Sequence, residues 1–211
     1  MSFVKAFGCA VYGINATTVT VEVNIDTGIN FHIVGLPDSA VKESQQRIDA
    51  ALKNNGFKIP GKKITINLAP ADIRKEGSSY DLPIAVGILC ASEQLKSELV
   101  SDYIIMGELA LDGILRPVRG ALPMAIHAKD SGFKGVILPA ADPKTTEKWS
   151  DKSGNVDKKY LHEMVEDHED AVKLFEKACK SDDADIAAFA QRTLPTLQHH
   201  LQMAKDLKKT L

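Results

Sequence analysis

Residues 63–91 read KITINLAPADIRKEGSSYDLPIAVGILCA, and the hydrophobic pattern changes completely within this stretch. Branched residues alternate with polar ones over Lys63–Leu68, which is typical of a half-buried strand. Leu82–Ala91 is almost wholly apolar and predicts a helix. The small and charged residues between these segments predict a loop that leads from the strand into the helix. This one stretch therefore predicts an α+β fold.

The same mixture of patterns extends through the chain as far as about Pro143. Further strands are predicted over five segments: Met1–Tyr12, Thr17–Ile25, Phe31–Val34, Tyr103–Met106 and Lys134–Leu138. Two further helices are predicted, over Ser39–Asn55 and Ala121–Asp130. The first can be capped by Asp38 or Ser39, and the pair Asn55-Gly56 is a typical stop signal.

The strand pattern ends near residue 145, and the rest of the chain has helical periodicity. Apolar residues recur at helical spacing over Asp157–Lys180, and a second helix follows the polar break at 181–183. Pro195 is expected to kink this second helix or to begin a new segment. The predicted organisation is an α+β domain over 1–143, a polar linker over 144–156 and an all-α helical hairpin over 157–211.

The composition excludes several classes of protein. The chain has 211 residues with 26 Lys and Arg against 28 Asp and Glu, so it has no global basic field for wrapping nucleic acid. Aromatic residues are 6% of the chain, which argues against a stacking platform for single strands. The three cysteines form no CxxC pair, so neither a zinc ribbon nor a disulfide framework is expected. No apolar run approaches the ~20 residues of a membrane span, and we expect a cytoplasmic protein without a membrane partner.

Residues 56–63, GFKIPGKK, differ by one residue from a phosphate-binding P-loop. Lys63 stands where a serine or threonine would hold magnesium. The predicted order is also helix, loop, strand, whereas a P-loop leads from a strand into the amino end of a helix. We interpret this segment as a connecting turn and expect no nucleotide or other cofactor.

Gly77-Ser78-Ser79 opens the predicted apolar helix and has two interpretations. Either serine can cap the helix by accepting a hydrogen bond from one of its first amides. Alternatively, a serine hydroxyl beside backbone N–H donors can act as a nucleophile. The residues by themselves favour the cap.

Several strings of the first 142 residues, in the same order, resemble the amino-terminal domain of the magnesium-chelatase-like ComM/YifB family of bacterial AAA+ ATPases. The strings are VGLPDSAVKES at 34–44, NLAPADIRKEG at 67–77, YDLPIA at 80–85, and GEL at 107–109 with Asp112-Gly113. The resemblance implies a fold related to the protease domain of Lon.

By this resemblance Ser79 is equivalent to the Lon nucleophile, and Leu122 stands where Lon has its catalytic lysine. The family's ATPase activity, coupled to DNA branch migration, lies in a P-loop module that follows this domain. In this sequence a different segment begins where the P-loop module would be expected. The resemblance therefore implies a non-catalytic accessory module with a possible protein partner, and a serine hydrolase using Ser79 is the alternative.

The segment from Trp149 to Leu211 resembles the carboxyl half of a bacterial domain of unknown function with a ferritin-like helical bundle. The strings that carry this likeness include DKKYL at 157–161, MVEDH at 164–168 and TLPTL at 193–197. His168 and His200 lie in the apolar stripes of the two helices and are candidate metal ligands, so a metal- or ligand-binding ferritin-like helical protein is a further alternative function. No Glu-x-x-His pair accompanies them, so we expect core histidines and no metal.

Two kinds of partner follow from the surface residues. Contact with DNA through Lys53, Lys58, Lys62, Lys63, Arg74 and Lys75 is one possibility, and a solvated charged face is the alternative. The helical hairpin is expected to expose an apolar patch formed by Phe175, Phe189, Leu194, Leu197 and Leu201. We expect two chains to pair through this patch as a homodimer, with docking on the chain's own amino-terminal domain as the alternative.

Overall fold

The computed structural model describes residues 2–13, 15–96, 98–140 and 156–210, without the side chains of 156–160 and 210. Clustering of contacts divides the chain into two units, Met1–Ala140 and Ala141–Leu211. All but the last residue of the expected linker at 144–156 lies outside the described residues.

The first unit is built on a six-stranded mixed sheet. Its strands are β1 (Ser2–Tyr12), β2 (Asn15–Asp26), β3 (Phe31–Val34), β4 (Lys63–Ala69), β5 (Tyr103–Ile105) and β8 (Gly135–Ile137). The spatial order is β3-β4-β2-β1-β5-β8, with β2 antiparallel to both of its neighbours and the other pairs parallel. Two short strands, β6 (Glu108–Leu109) and β7 (Leu115–Arg116), form a separate β-hairpin.

The helices of this unit are α1 (Ser39–Lys42), α2 (Ser44–Asn54), α3 (Asp81–Ala91) and α4 (Ala121–Asp130), with a short 3-10 helix at Val100–Asp102. The expectation of one helix over Ser39–Asn55 is wrong, because the helix is interrupted at Glu43. The Glu43 N–H bonds back to Ser39 O and Val41 O, which tightens the turn and separates α1 from α2.

The core lies between the long strands and the helix α3. Four β2 residues on one side of the sheet, Val19, Val21, Val23 and Ile25, are buried. The helix α3 contacts both β1 and β2, which explains why its sequence is apolar on every side. A Cβ atom at Gly87 would lie 2.7 Å from the Val23 side chain, so this glycine permits the close approach of helix and sheet.

A buried ion pair fixes the amino end of α3. Arg47 on α2 donates to Asp81 through Nε at 2.7 Å and through a terminal nitrogen at 2.9 Å. The Asp81 carboxylate also accepts the Leu109 N–H at 3.2 Å and is fully buried. Burial raises the pKa of Asp81, and the Arg47 hydrogen bonds act against this rise. The pair joins α2, α3 and the β6–β7 hairpin.

The segment before α1 is tied to the loop before α3 in three places. The Asp38 N–H donates to Lys75 O at 3.0 Å, and the Lys75 N–H donates to Leu36 O at 3.1 Å. The Asp38 carboxylate accepts the Gly77 N–H at 3.0 Å. It also accepts the Val41 N–H at 2.7 Å and so caps α1 as expected.

The second unit is an all-α helical hairpin, as predicted. Its helices are α5 (Val156–Ala178) and α6 (Ala184–Thr210), which pack antiparallel. The helix α6 runs without interruption through Pro195, so the expected start of a new segment there is wrong. Ala190 and Leu197, one on each side of the proline, are both buried, and this packing holds α6 as one helix. No helix among the described residues is both long and apolar enough to cross a membrane.

Replacing Asp81 by asparagine tests the importance of the buried pair. We expect Asp81→Asn to lower the free energy of unfolding by about 3 kcal/mol, because Arg47 loses its charged partner. Urea denaturation of the full chain measures this change. The control is Asp49→Asn, which breaks an exposed pair with Lys53 and should cost less than about 0.5 kcal/mol. Equal effects of the two substitutions would contradict the prediction.

Candidate functional site

Ser79 lies in a cleft of about 420 Å³ in the first unit. The cleft is formed by the carboxyl end of β1, the loop before α3, Met106 after β5, and the loop and first turn of α4. The Ser79 carbonyl accepts the Gly107 N–H at 2.8 Å, and the Gly107 carbonyl accepts the Leu82 N–H at 3.0 Å. These two bonds fix the position of Ser79 at the amino end of α3.

Neither serine caps α3, so the interpretation of Ser78 or Ser79 as a helix cap is wrong. The cap position is occupied by Tyr80, which makes no side-chain cap bond. The Ser78 hydroxyl donates to the Glu108 carboxylate instead. The first amides of α3 are satisfied by carbonyls, for example Asp81 N–H by Ser78 O at 3.1 Å, and Pro83 has no N–H to satisfy.

Neither a lysine nor a histidine accompanies the Ser79 hydroxyl in the described lining of the cleft. No described residue hydrogen-bonds to this hydroxyl. Leu122, at the position implied for the catalytic lysine, is buried in α4. The Lys75 amine is also buried, where it donates to Pro70 O, and burial lowers its pKa. A lysine or histidine base of the kind that activates a serine is therefore not found in the described lining of the cleft.

The candidate DNA contacts do not form one patch. Lys75 is fully buried, which contradicts both its candidacy as a DNA contact and its place on a solvated face. Arg74 lies near the carboxyl end of β1, where its carbonyl accepts the Tyr12 hydroxyl. Lys62 and Lys63 are exposed at the opposite end of the sheet, at the start of β4.

The P-loop-like segment 56–63 connects α2 to β4, in the helix–loop–strand order predicted from the sequence. Several of its amides already have acceptors. The N–H groups of Gly56 and Phe57 bond to carbonyls of α2, and the Lys58 N–H bonds to the Gln94 side chain at 3.0 Å. These amides are not available to cradle a phosphate.

His168 and His200 face one another in the helical hairpin, with ring centroids 6.3 Å apart. His168 Nδ1 lies 3.0 Å from Met164 O, and His200 is buried. Within the described residues, no group of three or more His, Cys, Asp or Glu side chains is arranged to hold a metal ion.

The mixed sheet, with Ser79 at the start of α3, defines a Lon-protease-like α+β domain. Residues 21–142 match the family model described as subunit ChlI of Mg-chelatase, and the chain belongs to this family. Residues 133–207 match the model of a domain of unknown function, DUF4142.

Curated relatives support this assignment over the first unit. The uncharacterized protein YifB of Escherichia coli is 50% identical over 129 residues, which are 61% of this chain and 26% of that protein. The competence protein ComM of Haemophilus influenzae is 47% identical over 138 residues, covering 65% and 27% of the two chains. Lon protease 2 of Bacillus subtilis is 29% identical over 151 residues, covering 63% and 27%. The chain thus spans about a quarter of the length of these relatives.

We expect magnesium and ATP to leave the melting temperature of the chain unchanged, because several amides of 56–63 are already bonded. Ligand that binds the native state must raise the melting temperature as its concentration rises. Scanning fluorimetry with MgATP, and with MgCl₂ as the control, measures this. A saturable rise that disappears in Lys62→Ala would contradict the prediction.

Proposed function

We propose that this chain is a non-catalytic accessory or interaction module, similar to the amino-terminal domain of a ComM-type DNA branch-migration ATPase. One observation carries the proposal: Ser79 lines a cleft whose described lining offers no lysine or histidine. A serine hydroxyl is a weak nucleophile unless an adjacent base removes its proton. The cleft is then suited to binding and not to hydrolysis.

The rival function is a Lon-like serine hydrolase using Ser79, and the carboxylate that lines the cleft does not favour it. Glu76 is an exposed side chain, and its Oε1 lies 3.2 Å from the Arg74 Nε. The bases that activate a serine nucleophile are typically an imidazole or a lysine amine, and an exposed carboxylate in an ion pair offers neither.

Labelling with a fluorophosphonate probe tests the two functions. We expect the full chain to show no more covalent labelling than Ser79→Ala, because the hydroxyl has no base. Intact-mass spectrometry measures the labelling, and Ser78→Ala is the matched control at the neighbouring serine. Labelling of the wild type and of Ser78→Ala, but not of Ser79→Ala, would establish the hydrolase instead.

The helical hairpin has its own proposed role, which is self-association. Three apolar residues near its turn remain exposed: Leu174 by 65%, Ile186 by 50% and Phe189 by 55%. The Phe175 and Phe189 rings lie 5.9 Å apart, so this apolar patch spans both helices. A second copy brings an identical patch and two more helices, which together make the four-helix arrangement of ferritin-like bundles.

The patch differs from the sequence-based expectation. Of the five residues expected in it only Phe189 is exposed, because Phe175, Leu194 and Leu201 are half-buried and Leu197 is buried. Leu197 was expected to be part of the exposed patch, but it is 5% exposed. It lies on the side of α6 that packs against α5, together with Ala190 and Ala204. Leu197→Asp would therefore unfold the helical hairpin and cannot test association by itself.

We expect Phe189→Glu to weaken the dimer at least tenfold, because the substitution would bury a charge in the apolar interface between the two copies. Light scattering of the full chain at tens of micromolar measures the mass. The matched control is Ile114→Glu, at a residue of the first unit that is 65% exposed, and it should leave the dimer intact. A wild-type chain that is monomeric at this concentration would contradict the proposal.

A further inference from the structure

We propose that the Ser79 cleft is a binding site for a small organic acid, with Arg119 as the residue that receives its carboxylate and apolar side chains around its body. The inference rests on the proposed function, because it supplies a ligand for a cleft that is proposed to bind and not to hydrolyse. Three properties of the cleft carry it: its charge, its free donors and its apolar lining.

The charged side chains of the cleft leave one positive charge without a partner. Arg74, Glu76 and Arg119 are the charged residues that line it. Arg74 Nε lies 3.2 Å from Glu76 Oε1, so these two charges compensate each other. No carboxylate among the described residues lies within ion-pair distance of the Arg119 guanidinium. One uncompensated guanidinium matches a monoanion, and its planar pair of N–H groups fits a carboxylate.

Two lining residues, Ser79 and Tyr80, also carry hydrogen-bond donors that the described residues leave unused. The Ser79 hydroxyl donates to none of them, and neither do the backbone N–H groups of Ser79 and Tyr80. The next amides along the chain, those of Asp81 and Leu82, bond to carbonyls of the protein. A carboxylate has about four acceptor positions, so it can accept from these donors as well as from Arg119.

The rest of the lining is apolar. Met106 and Met124 are buried residues of the wall, and methionine adapts to ligands of different shape. Burial raises the pKa of Cys9, another lining residue, to about 11, so its thiol is neutral at physiological pH. A volume of about 420 Å³ is in the range of small-molecule sites. These features favour an acid with an apolar body over a bare inorganic anion.

Gly120 keeps the Arg119 loop close to β1. Its φ is +83°, and a Cβ atom there would lie 3.0 Å from the Val11 side chain. A glycine at this position therefore permits the approach that closes the cleft beside Arg119.

Isothermal titration of the full chain with 4-phenylbutyrate, and with its neutral amide, tests the proposal. We expect saturable binding of the acid, at least tenfold tighter than the amide, and weaker binding as salt is added. Arg119→Ala should lower the affinity for the acid at least tenfold, and Arg119→Lys should lower it less, because it keeps the charge. The matched control is Arg116→Ala, which removes a nearby exposed guanidinium paired with Glu108 and should have no effect.

Four outcomes would overturn the proposal. They are equal affinity for acid and amide, no saturation below about 10 mM, equal losses in Arg119→Ala and Arg116→Ala, and competition by inorganic phosphate as strong as by the acid. The fluorophosphonate experiment is read separately. Binding of the acid together with labelling of Ser79 would overturn the proposed function alone, whereas absence of both would overturn this inference alone.

Discussion

The ion pair between Arg47 and Asp81 is the constraint on which the first unit depends. Asp81 is the first residue of α3, and its fully buried carboxylate would be costly there without Arg47. The same carboxylate accepts an amide of β6, so one side chain sets the relation of three elements. The Ser79 carbonyl then bonds to Gly107, which places the serine relative to β5 and β6. The cleft is therefore a consequence of how α3 is anchored.

A second set of contacts shapes the loop that carries Ser79. Asp38 links the start of α1 to Lys75 and Gly77, which explains why two strings distant in sequence belong to one structural feature. A Cβ atom at Gly35 would lie 2.2 Å from Leu68 O, so only glycine permits this segment to cross β4 closely. This part of the Lon-like architecture is present although Leu122 occupies the position that the resemblance implies for the catalytic lysine. Binding without hydrolysis is consistent with such a scaffold.

The two units offer different kinds of binding surface. The first has a sheet-based core and a cleft with an unpaired guanidinium, whereas the second has an apolar patch across two helices. Self-association through the helical hairpin would bring two clefts into one assembly and would raise the effective concentration of any ligand that can reach both. Two clefts in one assembly would suit an interaction module, whose role is to bring other molecules together.

The sequence by itself determined the elements that depend on neighbours along the chain. Phe31–Val34 and Ala121–Asp130 were predicted with the bounds that the structure has, because alternation, helical periodicity and caps are local signals. Periodicity does not contain contacts between distant segments. The continuity of α6 through Pro195 and the burial of Lys75 and Leu197 depend on such contacts. Only the tertiary structure decided that β1, the Ser79 loop and Arg119 meet at one cleft. Their positions are set by the order of the strands in the sheet, and no local pattern encodes that order.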